Sequence, residues 1–236
     1  MTRLTACPDA ETVAQRAAAH IARQLQGARD VRGVAHLALS GGTTPGRTYE
    51  LLGANPEQLE GVHVWFADER CVAPEDPESN YRLAAETLLA GGAIPPERVH
   101  RMRGEDGPLE GARAYGQELA RVLGAPPVLD VVVLGIGPDG HIASLFPGAD
   151  TLEAGEDALC LGVHDSPKPP PERITLSLAL LRAAAECVLL ASGAGKADAV
   201  AAMLGEPTRH VPASLLRRER LTVILDDAAA PPPPLR

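Results

Sequence analysis

Apolar residues recur at every fourth position in the first stretch of the chain, with mostly small and polar residues between them. The recurring positions are Val13, Ala17, Ile21 and Leu25. Because residues four apart lie on the same face of an α-helix, this spacing predicts an amphipathic helix over residues 9–26. Asp9 can cap its first turn and Gly27 can end it.

Short apolar runs follow, and helical patterns separate them along the rest of the chain. The predicted strands cover residues 34–39, 62–67, 129–134, 158–163, 186–191 and 220–225. The predicted helices cover residues 45–52, about 79–88, about 109–123, 176–184, 197–204 and 213–217. Alternating strands and helices favour an α/β fold with a mostly parallel, Rossmann-like open sheet and helices on both faces.

The composition indicates a core with very few aromatic side chains. Hydrophobic residues make up 45% of the 236 positions and aromatic residues only 3%, so Ala, Val and Leu must fill most of the interior. This length suits a single domain over residues 1–236, with a frayed proline-rich tail at about residues 228–236.

Charge and cysteine usage restrict the classes of binding partner and the cellular location that we expect. The formal net charge of −9 and the lack of a long basic run argue against nucleic acid as a partner. The four cysteines form no C-x-x-C pair, so we expect reduced thiols and no zinc site. The sequence has no signal-peptide pattern and no apolar run near the ~20 residues that span a bilayer. We therefore expect a soluble, cytoplasmic protein that does not bind a membrane.

Polar, glycine-rich segments follow several of the predicted strands. In an open parallel sheet, ligands gather at the carboxyl ends of the strands, where loops and helix N-termini meet. Three such loops span residues 40–45, 68–80 and 135–148, and a fourth begins after Ala191. We expect these loops to meet at one edge of the sheet.

Two of these loops have features of an anion site. Residues 40–45 read Ser-Gly-Gly-Thr-Thr-Pro and offer backbone N–H groups, hydroxyls and a helix N-terminus. Residues 191–196 form another strand-to-helix turn, where Lys196 adds a full charge although the P-loop pattern is not met. An ordinary capped turn and a solvated lysine are the alternatives. The residues concerned are Ser40, Gly41, Gly42, Thr43, Thr44 and Lys196.

Charged residues directly follow the strand that contains the only tryptophan. Arg70 could orient a carbonyl or stabilise an oxyanion, and Asp68 or Glu69 could fix Arg70 or bind sugar hydroxyls. A solvated surface salt bridge is the alternative. Further along, Lys168 and Arg173 bracket three prolines whose stiffness would help either cation to meet a phosphate, and we favour Arg173.

The loop after Leu134 carries the strongest chemical signal in the chain. Its glycines allow a sharp turn, and Asp139 and His141 stand two residues apart on it, which suits proton transfer. Residues 135–140 also match the dinucleotide pattern G-x-G-x-x-G, but Pro138 stiffens the turn and no long helix follows. We therefore interpret His141 as catalytic, keep nicotinamide binding as an alternative, and interpret the six other histidines as structural or surface residues.

Taken together, these blocks resemble the signature segments of 6-phosphogluconolactonases. The segments are residues 40–45, 67–72 with 79–81, and 135–148. Their order and spacing match that family over nearly the whole chain, as do the segment from Lys168 to Arg173 and the Lys196 turn. The resemblance implies hydrolysis of 6-phospho-D-glucono-1,5-lactone to 6-phospho-D-gluconate in the pentose phosphate pathway, without a cofactor or metal.

The resemblance also implies a role for each candidate residue. The turn of residues 40–44 would bind the phosphate, helped by Lys196 and Arg173. His141 would activate water as a general base with Asp139 orienting it, while Arg70 or backbone N–H groups would stabilise the oxyanion. Asp68 and Glu69 would bind the substrate or assist His141. We expect a monomer or a small homo-oligomer.

Glucosamine-6-phosphate deaminases share the implied fold and the Asp-Gly-His loop, and they are the first alternative. In their pattern a glutamate stands five residues after the loop histidine, where this chain has Phe146. An apolar ring cannot shuttle a proton, so lactone hydrolysis is favoured. A non-catalytic protein that binds sugar phosphates is the alternative from another class.

Overall fold

The computed structural model describes residues 2–231, and within that range it contains nine strands and six α-helices. The strands are β1 (Arg3–Cys7), β2 (Ala35–Leu39), β3 (Val62–Phe66), β4 (Asp68–Arg70), β5 (Val131–Gly135), β6 (Cys160–Val163), β7 (Arg173–Leu176), β8 (Glu186–Ala191) and β9 (Leu221–Asp226). The helices are α1 (Ala10–Arg32), α2 (Thr43–Gly53), α3 (Asn80–Glu86), α4 (Pro108–Leu123), α5 (Leu178–Ala183) and α6 (Ala197–Leu204).

Six strands form one parallel sheet in the order β1-β9-β8-β5-β2-β3. Four successive residues of β5, from Val131 to Leu134, are fully buried. A continuous apolar run of this kind is expected for a strand covered on both faces. The predicted α/β fold with a mostly parallel, helix-flanked sheet is confirmed.

The direction in which the chain crosses the sheet reverses between β2 and β5. After β2 the chain passes through α2 to β3 on one side, and it later enters β5 on the other side of β2. Loops that leave neighbouring strands at such a point diverge, and the crevice between them is where ligands bind in open α/β sheets. The loops of residues 40–45 and 136–148 leave the sheet at this point.

A second, antiparallel sheet contains β4, β7 and β6, and the sequence did not predict it. The strand predicted at residues 158–163 belongs to this sheet and not to the parallel one, because β6 pairs with β7 in antiparallel register. Helix α4 packs against β6 and β7. The small sheet brings Arg70 and Arg173 together at the edge of the large one.

The opening helix is longer than the sequence predicted. The Asp9 carboxylate accepts the Thr12 N–H at 2.7 Å, as expected for a cap. The helix then runs through Gly27 to Arg32 and ends at Gly33, which has a φ of +77°. A glycine inside a helix costs only about 1 kcal/mol, whereas a left-handed end strongly favours a residue without a Cβ.

The chain stays packed beyond β9, where the sequence predicted that fraying starts. Ala229 is fully buried, and its N–H donates to Asp226 Oδ1 at 2.8 Å. The remainder of the predicted tail, residues 232–236, lies outside the described residues. In the part of the chain that the structure describes, no helix has the length and apolar character needed to cross a membrane.

Candidate functional site

A cavity of about 410 Å³ opens at the carboxyl edge of the parallel sheet. The loops after β2, β5 and β8 line it, together with residues of the small antiparallel sheet. Ten of the twelve predicted site residues line this cavity, namely Ser40, Gly41, Gly42, Thr43, Thr44, Asp68, Arg70, His141, Arg173 and Lys196. Loops that are far apart in sequence therefore meet at one place, as the sequence predicted.

The N-terminus of α2 presents unpaired donors to the cavity. Gly42 precedes the helix with a φ of +117°, and no side chain within residues 2–231 caps it. The N–H groups of Thr43 and Thr44 lack intrahelical partners, and the third residue, Pro45, has no N–H. The Ser40 hydroxyl is buried and finds no hydrogen-bond partner among the described residues. Such a helix end is suited to bind a phosphate.

Close packing beside this helix end requires a glycine at position 41. A Cβ on Gly41 would collide with the side-chain oxygen of Asn80. The Asn80 side chain is fixed, because its amide nitrogen donates to the Asp68 backbone oxygen at 2.8 Å and to Asp68 Oδ1 at 3.2 Å. Gly41 therefore allows the loop after β2 to approach the first residue of α3.

The turn after β8 brings a cation to the same cavity. Lys196 Nζ donates to the backbone oxygen of Ile136 at 2.7 Å, which leaves two ammonium hydrogens for a ligand. Burial, followed by the charge of Lys168, lowers the pKa of Lys196. Ser192, on the same turn, has a buried hydroxyl that is unpaired within the described chain. An anionic ligand would accept hydrogen bonds from both the Ser192 hydroxyl and the Lys196 ammonium.

His141 and Asp139 form a hydrogen-bonded pair beside the cavity. His141 Nδ1 lies 2.5 Å from Asp139 Oδ1. Because a carboxylate only accepts hydrogen bonds, Nδ1 carries the ring hydrogen and Nε2 keeps its lone pair. The His141 side chain is only 15% exposed, yet it lines the cavity. The pair can therefore offer a basic nitrogen to a ligand.

The surroundings keep the imidazole neutral and the carboxylate ionised. Burial is the largest influence and lowers the pKa of His141, the Asp139 carboxylate opposes this effect, and the Lys168 charge adds to it. Burial alone would raise the pKa of Asp139, but the interaction with His141, above all its hydrogen bond, and the charge of Lys168 lower it overall. At neutral pH the pair is ready to accept a proton.

A tight turn fixes the position of this pair. The Gly137 N–H donates to the His141 backbone oxygen at 2.9 Å. A Cβ on Gly137 would collide with both the imidazole and the Asp139 carboxylate. Ala143 follows with a φ of +47°, a strained conformation for a residue that has a Cβ. Glycine at position 137 is therefore needed for the pair to form.

The charged residues after β3 point in different directions. Asp68 and Arg70 line the cavity, whereas Glu69 does not, because successive side chains of a strand alternate between its faces. The Glu69 carboxylate instead accepts hydrogen bonds of 2.7–3.0 Å from the backbone N–H groups of Arg70, Asn80 and Tyr81 and from the hydroxyl of Ser79. This placement does not fit the predicted substrate-binding role of Glu69, since its carboxylate holds the start of α3.

Two arginines lie side by side on β4 and β7. Arg70 and Arg173 are partners in the antiparallel register, and both line the cavity. Burial, and then the charge of Arg70, lower the pKa of Arg173. The Nε atom of Arg70 is buried and has no hydrogen-bond partner in residues 2–231. Two adjacent positive charges favour a negatively charged group nearby.

Known proteins match this chain over nearly its whole length. A sequence profile of the family described as glucosamine-6-phosphate isomerases/6-phosphogluconolactonase matches residues 8–225. The chain is 40% identical to the 6-phosphogluconolactonase of Streptomyces coelicolor, over 92% of this chain and 89% of that protein. It is 39% identical to the 6-phosphogluconolactonase of Mycobacterium tuberculosis, over 93% of both chains. The chain belongs to the 6-phosphogluconolactonase family.

Solved structures agree on the fold of the family but do not separate the lactonases from their deaminase relatives. The 6-phosphogluconolactonase of Trypanosoma cruzi superimposes with a TM-score of 0.88 at 26% identity, covering 97% of this chain and 96% of that one. A monomeric glucosamine-6-phosphate deaminase superimposes with a TM-score of 0.81 at 25% identity, covering 97% and 98%. The distinction must therefore come from sequence identity and from single residues in the site.

Phe146 is a residue of the site that distinguishes this member of the 6-phosphogluconolactonase family from the deaminase pattern. Its ring lies 4.7 Å from the His141 ring, measured between centroids, and it is almost fully buried. An apolar ring therefore lies beside the imidazole, five residues after His141, where the sequence comparison above expects a glutamate in a deaminase.

Three further polar or charged side chains line the cavity without having been singled out as binding residues from the sequence. Asn80 and Ser192 were missed, and Lys168 was considered only as a second choice to Arg173. Asn80 follows the α3 cap Ser79 within a signature segment of the 6-phosphogluconolactonase family, and this position could have indicated it. No local pattern distinguishes Ser192 from an ordinary residue of a turn.

Proposed function

We propose that this cavity hydrolyses 6-phospho-D-glucono-1,5-lactone to 6-phospho-D-gluconate, the activity named for its 6-phosphogluconolactonase relatives in the pentose phosphate pathway. The observation that carries the proposal is one cavity that combines an uncapped helix N-terminus with a histidine whose Nδ1 is paired with the Asp139 carboxylate, which leaves Nε2 as the basic nitrogen. The first feature suits a phosphate and the second suits a reacting carbonyl. A small molecule with both groups is the substrate that fits.

The phosphate would bind at the start of α2. The N–H groups of Thr43 and Thr44 and the Ser40 hydroxyl would donate to its oxygens, and Lys196 would add a full positive charge. Both serine hydroxyls that are buried and unpaired in the described chain, Ser40 and Ser192, would then gain an acceptor. This anchor would hold the ring in one orientation, which accelerates the reaction at its other end.

The chemical step would begin with water positioned between His141 Nε2 and the lactone carbonyl. As the water oxygen attacks C1, Nε2 takes one of its protons and Asp139 stabilises the resulting imidazolium through Nδ1–H. The tetrahedral intermediate then collapses, the bond from C1 to the ring oxygen breaks, and the imidazolium returns a proton to that oxygen. The new carboxylic acid ionises in water, and the enzyme is unchanged.

Arg70 would stabilise the oxyanion that develops on the carbonyl oxygen. Its Nε is buried and has no partner in the described part of the chain, so it can donate to an oxyanion without giving up a hydrogen bond within the protein. Asp68 would bind a sugar hydroxyl, with its orientation set by the Ser144 hydroxyl, which donates to Asp68 Oδ2 at 2.8 Å. We also propose a cytoplasmic location, which four cysteines without a disulfide within the described residues support.

The test is an assay of the purified chain with freshly prepared lactone, corrected for the spontaneous hydrolysis in the same buffer. We expect acceleration with the 6-phosphorylated lactone, much weaker acceleration with the unphosphorylated lactone, and no ammonia release from glucosamine 6-phosphate. Ammonia release would indicate a deaminase. Binding of the lactone without faster hydrolysis would indicate a sensor, and either result would overturn the proposal.

A further inference from the structure

Lys168 stands on a loop that is fixed by hydrogen bonds on both sides. The Ser166 hydroxyl donates to the Lys168 backbone oxygen at 2.8 Å and accepts the Lys168 N–H at 3.2 Å. The Ser166 N–H donates to the backbone oxygen of Pro171 at 3.0 Å, which closes the loop. Three consecutive prolines restrict the backbone further. The backbone position from which the lysine side chain extends is therefore set by the loop itself.

Arg173 holds this loop from the other side. Its Nε donates to the Pro170 backbone oxygen at 3.1 Å, and a terminal nitrogen donates to the Pro169 oxygen at 2.9 Å and to the Lys168 oxygen at 3.2 Å. Three of its five N–H positions thus face the protein. The side chain that the sequence favoured as a phosphate ligand is largely committed to supporting Lys168.

Phe146 links this support to the catalytic pair. The Arg173 guanidinium carbon lies 5.8 Å from the centroid of the Phe146 ring, and that ring contacts the imidazole of His141. His141 contacts Phe146, Phe146 contacts Arg173, and Arg173 binds the backbone of Lys168. The side chain of Lys168 in turn lies next to His141.

The ammonium of Lys168 faces the catalytic pair directly. Its Nζ lies 3.4 Å from His141 Nδ1 and 3.7 Å from Asp139 Oδ1. The other charged groups that act on His141 are Asp139 and Asp68. Lys196 lies close enough to Lys168 for the two charges to repel each other, but its Nζ is directed to the backbone oxygen of Ile136.

From this geometry we propose that Lys168 is a positioning residue for the general base, whose ammonium acts on the Asp139–His141 pair and not on the phosphate. The proposal rests on the proposed function. The same carboxylate oxygen that accepts the Nδ1–H hydrogen bond forms an ion pair with the ammonium, so the Lys168 charge favours the position in which Asp139 meets the imidazole. A fixed positive charge beside the imidazole also disfavours a second one on the ring, in agreement with the lowered pKa of His141.

The test compares Lys168→Met with Lys196→Met in complete pH profiles of kcat and KM. Methionine keeps the length of the lysine stem without its charge. For Lys168→Met we expect a lower kcat and a KM within about twofold of the wild type. The acid limb of the profile, where kcat falls because His141 is protonated, should move to higher pH. For Lys196→Met we expect a higher KM with the acid limb in place. Lys168→Arg should restore the limb towards its original position.

The outcomes separate this inference from the proposed function. If the wild type does not accelerate lactone hydrolysis, the proposed function fails. If the wild type is active but Lys168→Met raises KM and leaves the limb in place, Lys168 is a phosphate ligand and only the inference is overturned. Unchanged kcat, KM and pH profile would overturn it as well. Thermal melts of each variant establish that the fold is retained.

Discussion

His141 can act as a base because its Nδ1–H donates a hydrogen bond to Asp139, which leaves the lone pair of Nε2 available. Burial lowers the pKa of His141 below the ordinary value of 6.5, so the neutral, reactive form persists into mildly acidic solution. Activity should therefore be constant at neutral pH and fall only as the pH drops through this lowered pKa.

Replacing the partner of the histidine should affect rate and pH dependence in a defined way. Asp139→Asn should lower kcat by roughly 10²-fold or more, because the imidazolium loses its stabilising charge. The acid limb should move to lower pH, since the carboxylate raises the pKa of His141 and the amide does not. A pH series of kcat/KM measures both effects. An acid limb that moves to higher pH would contradict the assigned pairing.

A single methyl group at position 137 should disable the pair without unfolding the protein. In Gly137→Ala the new Cβ would occupy space that the imidazole and the Asp139 carboxylate now fill. We expect kcat to fall by roughly 10²-fold, the contribution of a positioned general base. Steady-state kinetics and a thermal melt provide the measurement. Gly155→Ala is the matched control, because a Cβ there meets no atom within 4 Å. Equal activities of the two variants would contradict the predicted collision between the Cβ at position 137 and the catalytic pair.

At the scale of elements, Glu69 joins β4 to the start of α3. Its buried carboxylate accepts four hydrogen bonds, and an amide offers only one acceptor atom in its place. Glu69→Gln should therefore lower the free energy of unfolding by roughly 1–3 kcal/mol, as measured by urea denaturation. Glu86→Gln is the control, since its carboxylate is 61% exposed and pairs with Arg82 on the surface. Equal stability of the two variants would refute the structural role of Glu69.

Most of the longer elements could be predicted from the sequence because their patterns are local, although the strand β1 was missed. The strands β2, β3, β5, β8 and β9 are predominantly apolar runs, and α4 and α6 lie within a residue of their predicted bounds. The strand β4 was missed because three residues are too few to show an alternating pattern. Its pairing with β7 joins segments about 100 residues apart, and nothing local encodes that contact.

At the scale of the whole molecule, the parallel sheet explains why most of the site could be predicted. Loops that leave parallel strands emerge at one edge, so residues near 40, 70, 141 and 196 had to approach one another. The direction of individual side chains could not be predicted in the same way. Glu69 faces away because β4 is a strand, and Arg173 donates to its own loop because that loop folds back on it.

A cluster of partly buried imidazoles away from the cavity should make the fold sensitive to acid. His63 Nδ1 lies 2.9 Å from His100 Nε2, and His100 Nδ1 lies 2.6 Å from Glu118 Oε1. His36 accepts the Trp65 indole N–H at 3.1 Å, and burial followed by the charge of His63 lowers its pKa to about 4. The unfolded chain therefore binds a proton on His36 at higher pH than the folded chain does.

The free energy of unfolding should accordingly fall between pH 7 and pH 5, by on the order of 2 kcal/mol from His36 alone. Urea midpoints followed by the fluorescence of Trp65, the only tryptophan, measure this directly. His36→Asn keeps an acceptor for the indole but does not titrate, so its midpoint should depend less on pH. A variant and a wild type with the same pH dependence would contradict the prediction.

The central claim is that one cavity holds a phosphate at the start of α2 while His141 faces the reacting carbonyl. A crystal structure of the chain with bound 6-phospho-D-gluconate tests it most directly. The account predicts the phosphate oxygens within hydrogen-bond distance of the Thr43 and Thr44 N–H groups, and the C1 carboxylate within hydrogen-bond distance of His141 Nε2. A product bound in the reverse orientation, with its carboxylate at the helix and its phosphate at the imidazole, would contradict it.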